Sequence, residues 1–225
     1  KHAAPDNGRR RKHPMPSDET LDALLCRVRA CTLCAAGLPL GPRPVLQAGT
    51  GARLLIAGQA PGRKVHASGI PFDDASGQRL RDWLGLTHAQ FYDPQQVAIL
   101  PMGFCYPGKG HSGDAPPRPE CAPAWRTPLL ERLPHIAFTV VLGQYALAWH
   151  MPGGARGVTE AVRDWQGHPP TAVALPHPSP RNNGWLKRNP WFEAELLPLV
   201  RARVAAVLDG QPHQPGAKNP SGRDN

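Results

Sequence analysis

The sequence predicts an α/β domain, a three-layer sandwich in which helices cover both faces of a central, mostly parallel sheet of four strands. Four short aliphatic or β-branched runs are separated by long intervals, with helix-like stretches between them. Runs of consecutive apolar residues are typical of strands that are covered on both faces, as parallel strands are. Alternation of such strands with helices favours a parallel sheet.

The first element of the domain is predicted to be a helix capped by Ser17. Serine is a preferred N-cap residue, and two acidic residues follow it in the first turn, where the helix dipole favours negative charge. Leucine and valine at positions 21, 24, 25 and 28 then recur with helical spacing. Cys26 lies among these leucines and is predicted to belong to the core.

Strands and helices alternate along the rest of the chain. The four predicted strands cover residues 53–58, 97–104, 138–146 and 171–175. The helices between and after them are predicted near residues 77–86, 122–133 and 191–208. Ligands of such sheets bind beside the carboxyl ends of the strands, so function is expected in the loops that follow the strands.

Length and charge bound the class of protein. The 225 residues suit one folded domain at residues 16–208, between a basic disordered tail (1–15) and a second disordered tail (209–225). The net charge of +9 fits a surface that binds a polyanion such as DNA. No apolar run is long enough to span a bilayer, and none follows the basic start as in a secretory signal. We expect a monomeric, cytoplasmic, nucleoid-associated protein with no membrane partner.

The loop after the first predicted strand reads GQAPG at residues 58–62. Gly58 and Gly62 bracket Pro61, so backbone N–H groups can face a ligand without an intervening Cβ atom. A plain turn between a strand and a helix uses similar residues, and the pattern alone leaves both interpretations open.

The following stretch, GIPFDDASG, contains Phe72 and two adjacent carboxylates. An aromatic ring in a glycine-rich loop suits stacking on a nucleobase, or else anchoring the loop to the core. Asp73 and Asp74 suit a base that positions water. Asp74 equally suits the N-cap of the helix that follows.

Residues 177–192 read HPSPRNNGWLKRNPWF, which is more elaborate than a connecting loop requires. A stiff, proline-containing loop with cations suits insertion into nucleic acid and contact with phosphates. The alternative is a turn and an N-cap before the last helix, with Trp185 and Trp191 in the core. For Trp191 and Phe192 the core interpretation is preferred, because they begin the apolar face of that helix.

Four of the five cysteines form a spaced set. Cys31 and Cys34 make a C-x-x-C, and Cys105 and Cys121 lie far downstream. In a cytosolic chain this indicates a metal site rather than disulfides. Zinc and an iron–sulfur cluster both accept four thiolates, and the spacing does not distinguish them.

Taken in order, these motifs resemble the uracil-DNA glycosylase superfamily, closest to its iron–sulfur families four and five. GQAPG resembles the first motif, GIPFDDASG resembles the loop with the base-stacking phenylalanine, and the cysteine spacing is similar to that of the 4Fe-4S cluster. HPSPRN is similar to the last motif of the superfamily, and its residues are most like those of the single-strand-selective branch. The match covers about residues 24–200.

The resemblance implies a DNA repair enzyme that flips uracil, or a related deaminated base, out of single- or double-stranded DNA and hydrolyses its N-glycosidic bond, leaving an abasic site. Asp74 and His177 would be catalytic. The base-binding set would be Gly58, Gln59, Ala60, Gly62 and Phe72. The DNA-binding set would be Ser179, Pro180, Arg181, Asn182, Lys187 and Arg188, and the cluster ligands Cys31, Cys34, Cys105 and Cys121.

Three positions depart from the family pattern. Gln59 stands where family four has glutamate, Ala60 where other members have a water-activating Asp or Asn, and Pro101 where family four has the asparagine that reads uracil. Asp74 resembles the catalytic aspartate of family five, and Gln59 is expected to supply the missing amide. Two alternatives remain: a non-catalytic member that binds damaged DNA or abasic sites, and a zinc-containing nucleotide-binding protein.

Overall fold

The structure, a computed structural model, describes residues 19–111, 113–153, 157–167 and 169–210. Its strands are β1 (Leu54–Ala57), β2 (Val97–Ile99), β3 (Lys109–Gly110), β4 (Gly113–Asp114), β5 (Phe138–Leu142) and β6 (Ala172–Leu175). Its α-helices are α1 (Leu21–Arg29), α2 (Arg63–Ser68), α3 (Ala75–Leu84), α4 (His88–Tyr92), α5 (Cys121–Glu131), α6 (Gly143–His150), α7 (Val158–Arg163), α8 (Asn183–Arg188) and α9 (Leu197–Leu208). Apart from residues 209 and 210, the two predicted tails lie outside the described residues, so their disorder stays a prediction.

The central sheet has four strands in the order β2–β1–β5–β6, and all its neighbours are parallel. The predicted four-stranded sheet is therefore confirmed. Leu54 pairs with Val97 on one side and with Phe138 on the other. Because β1 is followed by β2 on one side and later by β5 on the other, the direction of winding reverses between β1 and β5. Ligands of open α/β sheets bind at such a point, beyond the carboxyl ends of the strands.

Two hydrophobic clusters cover the two faces of this sheet, which makes the domain a three-layer sandwich. Leu54 and Ile56 of β1 belong to the cluster that contains the buried residues of α3 and α9. Leu55, which points the other way because side chains alternate along a strand, belongs to the cluster that contains α1 and part of α5. Burial on both faces explains why the strands read as continuous apolar runs.

The first helix departs from its prediction at two residues. It begins at Leu21, and Thr20 caps it by accepting a hydrogen bond from the Ala23 N–H (3.3 Å). Ser17, the predicted cap, lies outside the described residues. The prediction that Cys26 belongs to the core is wrong, because the helix turns this residue away from its buried leucines and leaves it exposed.

Two strands are shorter than predicted. β2 ends at Ile99, although the apolar run continues, because Leu100 and Phe104 leave the sheet and pack into the cluster around α1. β5 ends at Leu142, where Gly143 adopts a left-handed conformation (φ 78°) and begins α6. That conformation is accessible to glycine at little cost and turns the chain out of the sheet.

The last predicted helix forms in two parts. Residues Phe192–Leu196 make a π-helical turn that leads directly into α9. Phe192 is fully buried, as expected, whereas Trp191 and Trp185 are only partly buried and pack against the core. Among the described residues, no helix combines the length and the apolar character needed to cross a bilayer.

Candidate active site

A cleft of about 740 Å³ lies beyond the carboxyl ends of β1, β2 and β6, at the reversal point of the sheet. The predicted catalytic pair and all five predicted base-binding residues line it, together with residues 179–182. The hairpin of β3 and β4 contributes a further wall through Gly110, His111, Gly113 and Asp114. The two distant sequence motifs therefore meet in one cavity.

The loop at residues 58–62 forms the floor of this cleft, and hydrogen bonds hold it from two sides. Its carbonyls at Gly58 and Gln59 accept from the N–H groups of Met102 (2.8 Å) and Gly103 (2.9 Å). The Gln59 side chain donates through Nε2 to the carbonyl of Ala115 (3.1 Å). The Gln59 side chain is thus bonded to the segment that follows the hairpin, and its oxygen is left for other contacts.

Phe72 faces the cleft from a strained backbone. It has a left-handed conformation (φ 55°), which is rare for a residue other than glycine. Its ring lies edge-on to Phe91 with centroids 6.1 Å apart, and its carbonyl accepts a hydrogen bond from the Tyr92 hydroxyl (3.4 Å). The ring is therefore packed against the core and also lines the cleft, so it anchors the loop, and stacking on a base stays a prediction.

Gly77 is what allows Phe72 to sit in this position. A Cβ atom at residue 77 would lie only 1.7 Å from the Phe72 carbonyl oxygen. No side chain could be accommodated there without moving the loop. The glycine of the DASG motif is therefore required, because the backbone at residue 77 lies so close to the backbone of Phe72.

Asp74 has the capping role that the sequence left open, and its role in positioning water stays a prediction. It is the N-cap of α3, with Oδ1 accepting from the Gly77 N–H at 2.9 Å. The residue also lines the cleft. The cap fixes the orientation of the carboxylate and leaves its second oxygen for other contacts. Asp73, its neighbour, is exposed and does not line the cleft.

His177 is oriented as a hydrogen-bond donor towards the cleft. Its Nδ1 accepts from the backbone N–H of Ser179 (3.2 Å), so the proton of the neutral ring is on Nε2. The Asn182 side chain donates to the His177 carbonyl (2.7 Å) and fixes the backbone. Burial lowers the pKa of His177 below its usual range, and the nearby carboxylates of Asp74 and Asp114 partly oppose this effect.

The loop at residues 179–182 is a short 3₁₀ turn beside the cleft. Ser179 caps the turn by accepting from the Arg181 N–H (3.3 Å), and its carbonyl accepts from Arg79 (3.2 Å). The guanidinium of Arg181 lies against Gly113 of the hairpin. Lys187 and Arg188 are exposed on α8 and do not line the cleft. The structure thus separates the two cations from the cleft-lining part of the predicted DNA-binding set.

Asp114 is a cleft residue that the sequence interpretation did not single out. Its Oδ2 atom lies 3.4 Å from the position a Cβ atom would take at Gly62, so it faces the loop at 58–62. No periodicity or known spacing marks it, because it belongs to a two-residue strand. Gln144 and Tyr145, at the start of α6, line the cleft as well and were also missed.

The four spaced cysteines surround a second, smaller space, the cysteine cavity, which is lined by Cys31, Cys34, Cys105 and Cys121 together with Arg118 and Trp125. Trp125 donates a hydrogen bond to the sulfur of Cys31 (3.3 Å), and the Phe104 N–H donates to that of Cys121 (3.4 Å). Burial, reinforced by the other thiols, raises the pKa of Cys105 to about 11 and that of Cys121 to about 12. Buried thiols are therefore protonated unless a metal draws off the protons.

The four thiols are of the chemical type that binds zinc or an iron–sulfur cluster. All four predicted ligands meet in one cavity, and N–H groups already donate to two sulfurs, as is common around metal-bound thiolates. Within the described ranges, no three His, Cys, Asp or Glu side chains converge closely enough to hold a single metal ion. Cys26 lies elsewhere on the surface of α1.

The fold is an open, parallel α/β sheet with a cleft at its reversal point, and an aromatic ring, an imidazole and a carboxylate line this cleft. A family model described as the uracil DNA glycosylase superfamily matches residues 47–201, a span that contains every cleft residue named above. The chain belongs to this superfamily. Membership supports a glycosylase-type role in DNA repair, with DNA as the substrate partner.

Proposed function

We propose that the protein excises uracil, or a related deaminated base, from DNA and leaves an abasic site. The observation that supports this proposal is the meeting of Phe72 and His177 in one cleft beside the loop at 58–62. An aromatic ring supplies a stacking surface for an extruded base, and the donor opposite it supplies charge stabilisation for the departing base.

The base binds with its ring on Phe72 and its edge towards the loop at 58–62. Backbone groups of this loop and the side-chain oxygen of Gln59 read the polar atoms of the base. As the bond between N1 and C1′ stretches, its electron pair moves to the base. The Nε2–H of His177 donates to the O2 atom of uracil and stabilises the negative charge that builds there.

Asp74 acts on the sugar side of the reaction. Its carboxylate favours the cationic, oxocarbenium-like sugar electrostatically and positions the water that attacks C1′. The proton of this water passes to the carboxylate as the new C–O bond forms. The cap to Gly77 holds Asp74 in one orientation throughout, so no side-chain ordering is needed at the moment of reaction.

The loop at 179–182 fills the space that the extruded nucleotide leaves. Pro180 stiffens the loop, and Arg181 contacts a phosphate at the mouth of the cleft. Lys187 and Arg188, exposed on α8, bind phosphates further along the strand. Unstacking a nucleotide costs a few kcal/mol, which the wedge and the pocket together offset.

A cleavage assay tests the activity. The protein is incubated with an oligonucleotide that contains one uracil, and alkali then cleaves at abasic sites. We expect cleavage at the uracil and none in the matched oligonucleotide with cytosine. Absence of cleavage with uracil, hypoxanthine and xanthine alike would contradict the proposal.

Substitution of Asp74 by Asn separates catalysis from capping. Asn also caps helices, so α3 should keep its stability, while the loss of charge should slow uracil release by about 10²–10³-fold. Asp93→Asn is the matched control, because Asp93 also accepts from a backbone N–H (Gln95, 2.9 Å) but lies outside the cleft lining. Near-normal turnover in Asp74→Asn would remove the assignment of this residue.

His177→Ala tests the proposed donor in the same assay. We expect a fall of about 10²–10³-fold, the usual cost of removing one donor to a developing anion. His135→Ala, at an exposed histidine outside the cleft, serves as its control.

We also propose that Cys31, Cys34, Cys105 and Cys121 hold a 4Fe-4S cluster, with zinc as the alternative. The four cysteines line one cavity, and their spacing is similar to that of the cluster ligands in the iron–sulfur families of the superfamily. The cluster would be structural, joining the segment before β1 to the loop after β2. Protein purified without oxygen should be brown. Cys34→Ser should lose the colour and Cys26→Ser should keep it, while a colourless preparation with bound zinc would favour the alternative.

A non-catalytic function in binding abasic sites is the second candidate. Ala60 supports it, because this cleft-lining position has no polar group to activate water. Tight binding to abasic DNA, together with no base release from any substrate in the cleavage assay, would favour this function.

A further inference from the structure

Arg126 is the most deeply buried charged residue among those described, with 1% of its surface exposed. It lies on α5, and no carboxylate is recorded as its partner within the described ranges. Burying an uncompensated charge is costly, so such a residue persists where its hydrogen bonds are needed. Its bonds go to the exit of β2, where Pro101 lines the cleft, and to the last residue of α6, whose first turn lines the cleft.

The first place is the exit of β2. The Arg126 Nη1 atom donates to the carbonyls of Leu100 (2.9 Å) and Pro101 (3.3 Å). Pro101 lines the cleft. The next two residues, Met102 and Gly103, donate their N–H groups to the carbonyls of the loop at 58–62. Arg126 is thus separated from the loop proposed to read the base by one short backbone segment.

The second place is α6. The Nε atom of Arg126 donates to Nε2 of His150 (3.0 Å), the last residue of this helix, and Nη2 contacts the same nitrogen. The first turn of α6 carries Gln144 and Tyr145, which line the cleft. One guanidinium therefore joins the exit of β2 to the helix that forms an adjacent wall.

The cysteine cavity lies at the other end of the same connection. α5 begins at Cys121, and the segment that Arg126 holds continues into Cys105. Arg126 is therefore bonded to the start of the segment that leads from the cleft, at Pro101, to the cysteine cavity, at residues 103–105.

We propose that Arg126 is a positioning residue for base excision, whose guanidinium holds the exit of β2 and the end of α6 in the relative geometry that the base-reading loop requires. The inference rests on the proposed function of the cleft. Lysine keeps the charge but has one nitrogen, so it cannot reach the two carbonyls and the imidazole together.

The test compares Arg126→Lys with wild type at saturating uracil-containing DNA. We expect kcat to fall roughly 10- to 100-fold, because a displacement of about 1 Å in a reacting geometry has costs of this order. DNA binding to a non-cleavable abasic analogue should stay within about 3-fold of wild type, because the phosphate contacts are elsewhere. A purely structural role would instead lower the folded fraction and leave the kcat of the folded protein unchanged.

Arg132→Lys, at the residue directly after α5, is the matched control. Arg132 also bonds to carbonyls, those of Glu19 (2.7 Å) and Pro128 (3.0 Å), but it does not line the cleft. We expect wild-type kcat from this variant.

Hydrogen exchange gives a readout that needs no turnover. The amides of Met102 and Gly103 should exchange roughly 10-fold faster in Arg126→Lys, because the preceding residues lose their hydrogen bonds to the guanidinium. Unchanged kcat and unchanged exchange in Arg126→Lys would overturn the inference. Failure of wild type to release any base would instead overturn the proposed function. The exchange result would still decide whether Arg126 stabilises the segment at residues 100–103.

Discussion

At the scale of single residues, the protonation state of His177 is decided by its neighbours. The Ser179 N–H points at Nδ1, and a proton on that nitrogen would lose this hydrogen bond. Burial also opposes the charged ring and lowers its pKa. His177 is therefore held as a neutral ring with its proton on Nε2, and a second proton on Nδ1 would break the Ser179 hydrogen bond that orients the donor.

The pH dependence of base release should report this arrangement. Because the pKa of His177 is below its usual value of about 6.5, the acid limb of kcat/KM should lie below that pH. The Asp114 carboxylate raises this pKa, so Asp114→Asn should move the acid limb to still lower pH. Asp93→Asn should leave the limb in place. An acid limb that moved to higher pH in Asp114→Asn would contradict this account of the site.

At the scale of elements, the junction between the Phe72 loop and α3 depends on one missing side chain. Gly77→Ala should destabilise the protein by about 3 kcal/mol and displace the Phe72 ring, since the added carbon meets a backbone oxygen at 1.7 Å. Urea unfolding and the cleavage assay measure the two effects. Gly157→Ala is the control, because a Cβ atom there meets nothing within 4 Å. Wild-type stability in Gly77→Ala would show that the loop is free to shift.

The sequence predicted the four central strands better than it predicted their ends, and it did not predict α2, α4, α6, α7, α8 or the hairpin of β3 and β4. Strands buried on both faces give continuous apolar runs, which is why all four were found. The run beginning at Val97 also continues into Leu100 and Phe104, which are equally apolar but pack into the second core from a loop. A pattern of hydrophobicity cannot tell these two kinds of burial apart. Gly143 was the available signal for the end of β5, and it was overlooked.

The candidate site was predicted where motifs carry it and missed elsewhere. Gly58 and His177 lie in glycine- and proline-rich loops that carry recognisable sequence motifs. Both residues line the cleft. Asp114 sits in a two-residue strand with no pattern, and Arg126 looks like an ordinary surface cation of a helix. Only the packing of α5 against the sheet reveals that Arg126 is buried.

At the scale of the whole molecule, the pair of Arg126 and His150 makes stability depend on pH. Burial and the adjacent guanidinium lower the pKa of His150 to about 3. Its unfolded value is about 6.5, so between these values the unfolded chain binds the proton and the folded protein does not. This contribution to stability is therefore present above pH 6.5 and is lost as the pH falls towards 3.

His150→Gln should remove this dependence, because glutamine accepts a hydrogen bond but does not titrate. Wild type should lose up to about 2 kcal/mol at pH 5 relative to pH 7 through this group, and the variant should lose that much less. Urea unfolding at the two pH values measures the difference. His135→Gln, at an exposed position, should behave as wild type does. The same acid sensitivity in His150→Gln and wild type would contradict the prediction.

The order of strands in the sheet also governs how the chain must assemble during synthesis. β1 is made first, yet both strands that flank it, β2 and β5, are made later. β2 can pair with one edge of β1 once Ile99 has been added, whereas the other edge of β1 has no native partner until β5 is complete at Leu142. His177 is added later still, so the nascent chain completes its cleft only after nearly all of the fold has been translated.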